Sequence, residues 1–246
     1  MNAQIAGEST HGCAPFDLDN AMASIRTVRS QADHVIVSLH WGYQYDRLPS
    51  PEQVHIAHNL IDAGAVIVHG HHPHVLQAIE RYGRGIILYS LGNFIFPDFL
   101  RTDGLRFRFP AQSRRTGIVI CELDGQGVHS HEFVPLRVTR SYHINAVRGR
   151  ARARAINRIV RLGKVLLTKD HRRNWQQLHE KTYRFRMEQE SMYATRDRFA
   201  RRWRHTRLSD TAALVKKASP RHLKELARVL WHKLRELRRV WLLLGF

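Results

Sequence analysis

Cysteine is nearly missing from this chain: Cys13 and Cys121 lie far apart with no C-x-x-C pair, which excludes a disulfide framework and a thiolate zinc site. Cys121 is expected simply to pack. Long apolar runs are missing as well. No window holds eighteen successive apolar residues, and the stretch from Met1 to Glu8 lacks the basic and apolar regions of a secretory leader, so the expectation is a cytoplasmic or membrane-peripheral protein. No internal repeat is present, and biased sequence is confined to the alternating Arg148-Gly149-Arg150-Ala151-Arg152-Ala153-Arg154, which reads as a linker running into a helix. Acidic residues are scarce in only one part of the chain. Residues 1–140 hold 12 Lys+Arg against 13 Asp+Glu, whereas residues 141–246 hold 28 against 8. This asymmetry divides the sequence into a near-neutral globular part, 1–140, and a basic helical appendage, 141–246.

What the chain has in quantity is histidine. His69-Gly70-His71-His72-Pro73-His74 puts four imidazoles within six residues, directly after the apolar run Ala65-Val66-Ile67-Val68. Histidine is the commonest side-chain metal ligand, and His72 and His74, on an extended loop held by Pro73, can turn toward one centre. A second buried-strand pattern, Val35-Ile36-Val37-Ser38-Leu39, ends in His40-Trp41-Gly42. Two strands thus deliver histidine at their carboxyl ends, which is where open α/β sheets bind ligands.

The rest of the first part reads as helix, strand, helix, strand, then several strands. Leu18, Met22, Ile25 and Val28 keep helical spacing, and Ser50-Pro51-Glu52-Gln53 offers a capping box with proline at the first helical position, closed by Gly64. Strands are expected over 34–39, 65–69, 75–82, 85–89, 117–123 and 128–138, the last two around the turn Asp124-Gly125. The fold class is α/β, followed by an all-α basic region.

Val37-Ser38-Leu39-His40-Trp41-Gly42, Gly70-His71-His72-Pro73-His74-Val75-Leu76-Gln77 and Tyr89-Ser90-Leu91-Gly92-Asn93-Phe94 together resemble the poly-gamma-glutamate capsule biosynthesis protein CapA family over roughly residues 15–138. The resemblance implies the calcineurin-like metallophosphoesterase fold, a two-sheet sandwich with a dinuclear metal site. It implies metal ligation by His40, His72 and His74, with His71 either a ligand or the catalytic acid. Trp41, Ser90 and Asn93 would be supporting or substrate-binding residues, and the cofactors would be divalent manganese, iron or zinc. The family's Gly-Asp strand and Asn-Leu-Glu segment have no counterpart before His40. The expectation is therefore the C-terminal half of a catalytic domain, N-terminally truncated, acting as a metal-dependent phosphoesterase-type hydrolase in capsule or exopolymer synthesis on an anionic polymer or phosphoester. No Gly-x-Ser-x-Gly elbow supports Ser90 as a nucleophile, which favours hydrogen-bonding roles for Ser90 and Asn93.

A competing class is a non-enzymatic basic module. Leu223, Leu226, Leu230, Leu234, Leu237 and Trp241 form one apolar stripe flanked by Lys and Arg, so residues 220–246 suit an anionic membrane surface or docking on another helix. Arg201-Arg202-Trp203-Arg204 suits phosphate contact, but no recognised nucleic-acid motif accompanies it, and specific nucleic-acid binding is not expected.

Overall fold

Short continuous apolar runs build the central sheet, and the computed structural model describes residues 10–12, 16–100, 106–107 and 109–204, giving backbone alone for 100, 106 and 189–204. The order is α1 (Leu18–Arg29), β1 (Val35–His40), α2 (Pro51–Asp62), β2 (Ala65–His71), β3 (Ile79–Tyr82) and β4 (Gly85–Leu88). Then come β5 (Phe99–Leu100), β6 (Arg106–Phe107), a 3-10 turn (Ala111–Arg114), β7 (Arg115–Asp124), β8 (Gly127–Val138), β9 (Ile144–Ala146), α3 (Gly149–Leu166) and α4 (His171–Arg204). The chain is mixed α/β.

Four strands lie in the order β1-β2-β4-β3, with β1, β2 and β4 parallel and β3 antiparallel to β4. Each face of this sheet has its own core. Val35, Ile87 and Tyr89 pack with Ile25, Leu60 and Leu166 on the helical side, while Ile86 and Leu88 pack with Val128, Val119 and Cys121 of the β7-β8 hairpin on the other. The two-residue period of a strand sends its neighbours to opposite faces, so continuous apolar strands are what a sheet covered on both sides requires. The result is three layers: helices, four-stranded sheet, and the antiparallel β7-β8-β9 sheet.

Helix α2 starts as the sequence indicates. Ser50 Oγ accepts from the Gln53 backbone at 3.1 Å, and Ser50 N–H donates to Gln53 Oε1 at 3.0 Å, completing the capping box. Gly64 follows the helix at φ +119°, a conformation that favours glycine. Helix α3 contacts both β3 and β8, and Gly163 allows its close approach, because a Cβ there would stand 3.1 Å from the Ile79 carbonyl.

Three local expectations change. Residues 148–154 are not a linker, because α3 begins at Gly149; arginine and alanine are strong helix formers. The strand expected over 75–82 is confined to Ile79–Tyr82, since Val75 to Ala78 serve a loop in which Leu76 bridges to Leu91 and the Gln77 amide donates to the Asp46 carbonyl at 2.9 Å. The histidine loop is not extended: His72 and His74 sit at φ 103° and 58°.

Packing divides the chain into two units, Met1–Phe99 with Arg106–Thr182, and Leu100–Leu105 with Tyr183–Phe246. The charge change near 140 and this packing limit are different boundaries, because α3 and the first part of α4 belong to the first unit. In the second unit the described residues continue α4, where Arg186 Cζ lies 5.9 Å above the Tyr183 ring. The apolar stripe expected at 220–246 lies outside the described residues, as does Cys13. Among the described residues, no helix is long and apolar enough to cross a membrane.

Candidate functional site

Parallel pairing brings the sequence-separated histidines together. β1 and β2 are neighbours running the same way, so their carboxyl ends share one edge, and His40 is the register partner of His71. The His40 ring centroid lies 5.0 Å from that of His71 and 4.5 Å from that of His72, and His72 lies 5.9 Å from His74. His69 joins the rim, 6.0 Å from His71.

The loop holding these rings is strained. Left-handed backbone at a non-glycine residue costs on the order of 1–3 kcal/mol and persists only where surroundings impose it. Here the Trp41 N–H donates to the His71 carbonyl at 3.1 Å and the Tyr45 N–H to the Pro73 carbonyl at 2.7 Å, tying the loop to the segment after β1. Trp41 itself crosses β2. Its indole N–H donates to the Tyr89 carbonyl at 3.1 Å and its ring stacks on Tyr89 at 5.9 Å, a path open only because residue 70 is glycine. A Cβ at Gly70 would stand 2.0 Å from Trp41 Nε1 and 2.3 Å from the Tyr89 carbonyl oxygen. Trp41 therefore braces the histidine strands from beneath.

Asn93 and Ser90 hold the far side. Asn93 Oδ1 accepts from His74 Nδ1 at 2.7 Å, which places the other ring nitrogen, Nε2, as the electron-pair donor. Ser90 is buried, and its Oγ accepts from the Gly92 N–H at 3.2 Å, shaping the turn that presents Asn93. Phe96 and Phe109, which sequence reasoning did not select, flank His74 at 4.9 and 5.3 Å. Burial lowers the pKa of His74, partly opposed by the Asn93 hydrogen bond and reinforced by His40. Burial also lowers that of His71, with His40 and His69 adding to the effect. Neutral imidazoles with unprotonated nitrogens are the favoured state.

Two imidazoles sharing one ion at metal–nitrogen bonds of about 2.1 Å have ring centroids roughly 4.5–6 Å apart, a range that includes the His40–His72 and His72–His74 spacings. The donor chemistry therefore fits the nitrogen side of a cation site. It does not fit a complete dinuclear centre, which needs bridging carboxylate. Among the described residues, no three His, Cys, Asp or Glu side chains stand ready as a cation cage. Several acids of the first part are engaged with other partners. Glu80 accepts from Tyr89 Oη at 2.7 Å and meets His58 Nε2 at 3.0 Å; Asp98 pairs with Arg114 at 3.5 Å; Asp62 accepts from Tyr82 Oη at 3.2 Å.

A further pair was invisible in the sequence. Asp46, buried in the loop after β1, meets His179 Nδ1 of α4 at 2.8 Å, and Tyr43 and Trp175 flank that ring at 4.5 and 5.0 Å. Burial raises the Asp46 pKa, and His179 opposes the rise. The partners are 133 residues apart, and no local spacing signals the contact.

Residues 2–98 match the family described as "Bacterial capsule synthesis protein PGA_cap". The chain is 56% identical over 121 residues to the "Capsule biosynthesis protein CapA" of Bacillus anthracis, an alignment covering 48% of this chain and 28% of that protein. It is 45% identical over 91 residues to the "PGA biosynthesis protein CapA" of Bacillus subtilis, covering 37% of this chain and 24% of the relative. A "Probable polyglutamine synthesis accessory protein" of Mycobacterium tuberculosis is 33% identical over 122 residues, covering 50% and 32% respectively. The chain thus spans about a quarter to a third of the length of these curated relatives. Strand-end histidine, histidine loop and Ser-Leu-Gly-Asn-Phe turn meet at one sheet edge inside the matched segment, so over residues 2–98 this chain is similar to part of the capsule-synthesis family's domain.

Proposed function

We propose that this chain supplies the histidine side of a metal-dependent, phosphoesterase-type site in a protein of capsule or exopolymer synthesis, on a partial sandwich of the metallophosphoesterase type. The supporting observation is the meeting of His40, His71, His72 and His74 where two parallel strands end, with Asn93 fixing the orientation of His74. His40, His72 and His74 do not form a ready three-residue cage, so they would have to draw together to hold one divalent ion, manganese, iron or zinc, through neutral ring nitrogens. When bound, such an ion polarises a phosphoryl oxygen and lowers the pKa of bound water to about 7. His71, kept neutral by burial and by its histidine neighbours, acts as a ligand or accepts a proton; a standing acid would need a raised pKa. Asn93 and Ser90 position, and the exposed Phe96 offers a substrate-facing wall beside His74. The substrate class is an anionic polymer or phosphoester.

Calorimetric titration with Mn2+ or Zn2+, alongside hydrolysis of bis(p-nitrophenyl) phosphate, tests the reading. The expected result is one weakly held ion, lost in His72→Ala and His74→Ala, with little turnover. Binding indifferent to those substitutions would overturn the ligand assignment. Two tight sites with brisk turnover would overturn the partial-site reading.

A further inference from the structure

Away from the histidines, four arginines surround a cavity of about 350 Å³ whose walls include Val75 and Leu162. Arg47 comes from the loop before α2, Arg115 opens β7, and Arg158 and Arg161 stand three apart on one face of α3. Among the described residues no ion pair involves Arg47, Arg115, Arg158 or Arg161, so no carboxylate neutralises this group there. Its cost is visible at Arg158. Burial, and then the charges of Arg115, Arg47 and Arg161, push its pKa below the usual guanidinium value. Like charges gathered at a concave, mostly apolar surface without a counterion are destabilising unless an anion joins them.

We propose that this cavity is a binding site for an organic polyanion, two or more oxyanion groups on an aliphatic stem. Guanidinium groups recognise carboxylate and phosphate oxygens through paired N–H donors, and the apolar wall accommodates the stem. Three of the four arginines lie outside residues 2–98, the segment matched to the capsule-synthesis family, so the site is assembled from that segment and the chain that follows it. It does not depend on the histidine cluster.

The test is calorimetry on the full chain at constant ionic strength, with tricarballylate, pyrophosphate and acetate as probes. The expected result is one site for a polyanion and none for acetate. Arg158→Gln and Arg115→Gln should each weaken binding at least tenfold, while Arg26→Gln, exposed on α1 and outside the cavity lining, leaves it unchanged. Binding of tricarballylate, alone or together with pyrophosphate, supports the site, whereas binding of pyrophosphate alone would show that the apolar wall holds no stem and would overturn the proposal. Equal weakening by all three substitutions would reveal diffuse charge attraction and overturn it, as would no saturable binding of either polyanion. Without ligand, Arg158→Gln should melt at or above the wild-type temperature, because it relieves repulsion. A lower melting temperature with unchanged affinity would mark Arg158 as a packing residue and refute the proposal.

Discussion

Gly70→Ala is the sharpest perturbation this fold offers. The added methyl carbon would stand 2.0 Å from Trp41 Nε1 and 2.3 Å from the Tyr89 carbonyl oxygen. The oxygen belongs to backbone directly after β4 and cannot retreat far, so the indole must leave. Its departure breaks the 3.1 Å hydrogen bond to Tyr89 and the ring stack. A lost hydrogen bond costs about 1 kcal/mol, a lost aromatic pair about 1 kcal/mol and the residual overpacking at least about 1 kcal/mol, together about 3 kcal/mol. Urea denaturation measures this directly. The Trp41→Ala background supplies the control, because with the indole already gone Gly70→Ala should lose about 2 kcal/mol of its effect. A Gly70→Ala variant as stable as wild type, or strict additivity with Trp41→Ala, would refute the bracing role. Since His40 and His71 adjoin Trp41 and Gly70, histidine ring resonances should shift in the same variant.

Three other substitutions probe separate parts. Asn93→Ala removes the acceptor on His74 Nδ1 and should weaken Mn2+ or Zn2+ binding about 10- to 100-fold in calorimetry, the usual effect of losing a partner behind a ligating histidine. His179→Gln leaves the Asp46 carboxylate buried without its 2.8 Å partner and should cost about 1–3 kcal/mol at neutral pH in urea titrations. Because the folded Asp46 pKa is raised, protonation stabilises the fold. That contribution is complete below the unfolded carboxylate pKa of about 3.9 and is lost as pH rises through the folded value, so the His179→Gln deficit should shrink on acidification. Ser50→Ala removes one arm of the α2 capping box and should lower stability by about 1 kcal/mol.

Local chemistry was readable wherever one segment carries its own cause. The Ser50-Pro51-Glu52-Gln53 cap set the start of α2, and apolar runs bounded by glycine and histidine marked β1, β2 and β4. Periodicity misjudged Val75 to Ala78, because an apolar run looks the same whether it pairs in a ladder or fills the space under a loop. It also missed that His72 and His74 take left-handed backbone, which comes from the surrounding hydrogen bonds and not from the residues themselves.

The sequence by itself determined which residues carry imidazole, that two strands end in them, and that cations concentrate behind residue 140. Only the tertiary structure decided which of these groups meet. Parallel pairing of β1 with β2 registers His40 on His71, while the packing of α3 and α4 brings Arg158 beside Arg47 and His179 onto Asp46. Hydrophobic periodicity reports which face of an element is buried, but it contains no term for the partner across the interface. Long-range contacts arise when whole faces dock, and their polar consequences follow from geometry that no local pattern encodes.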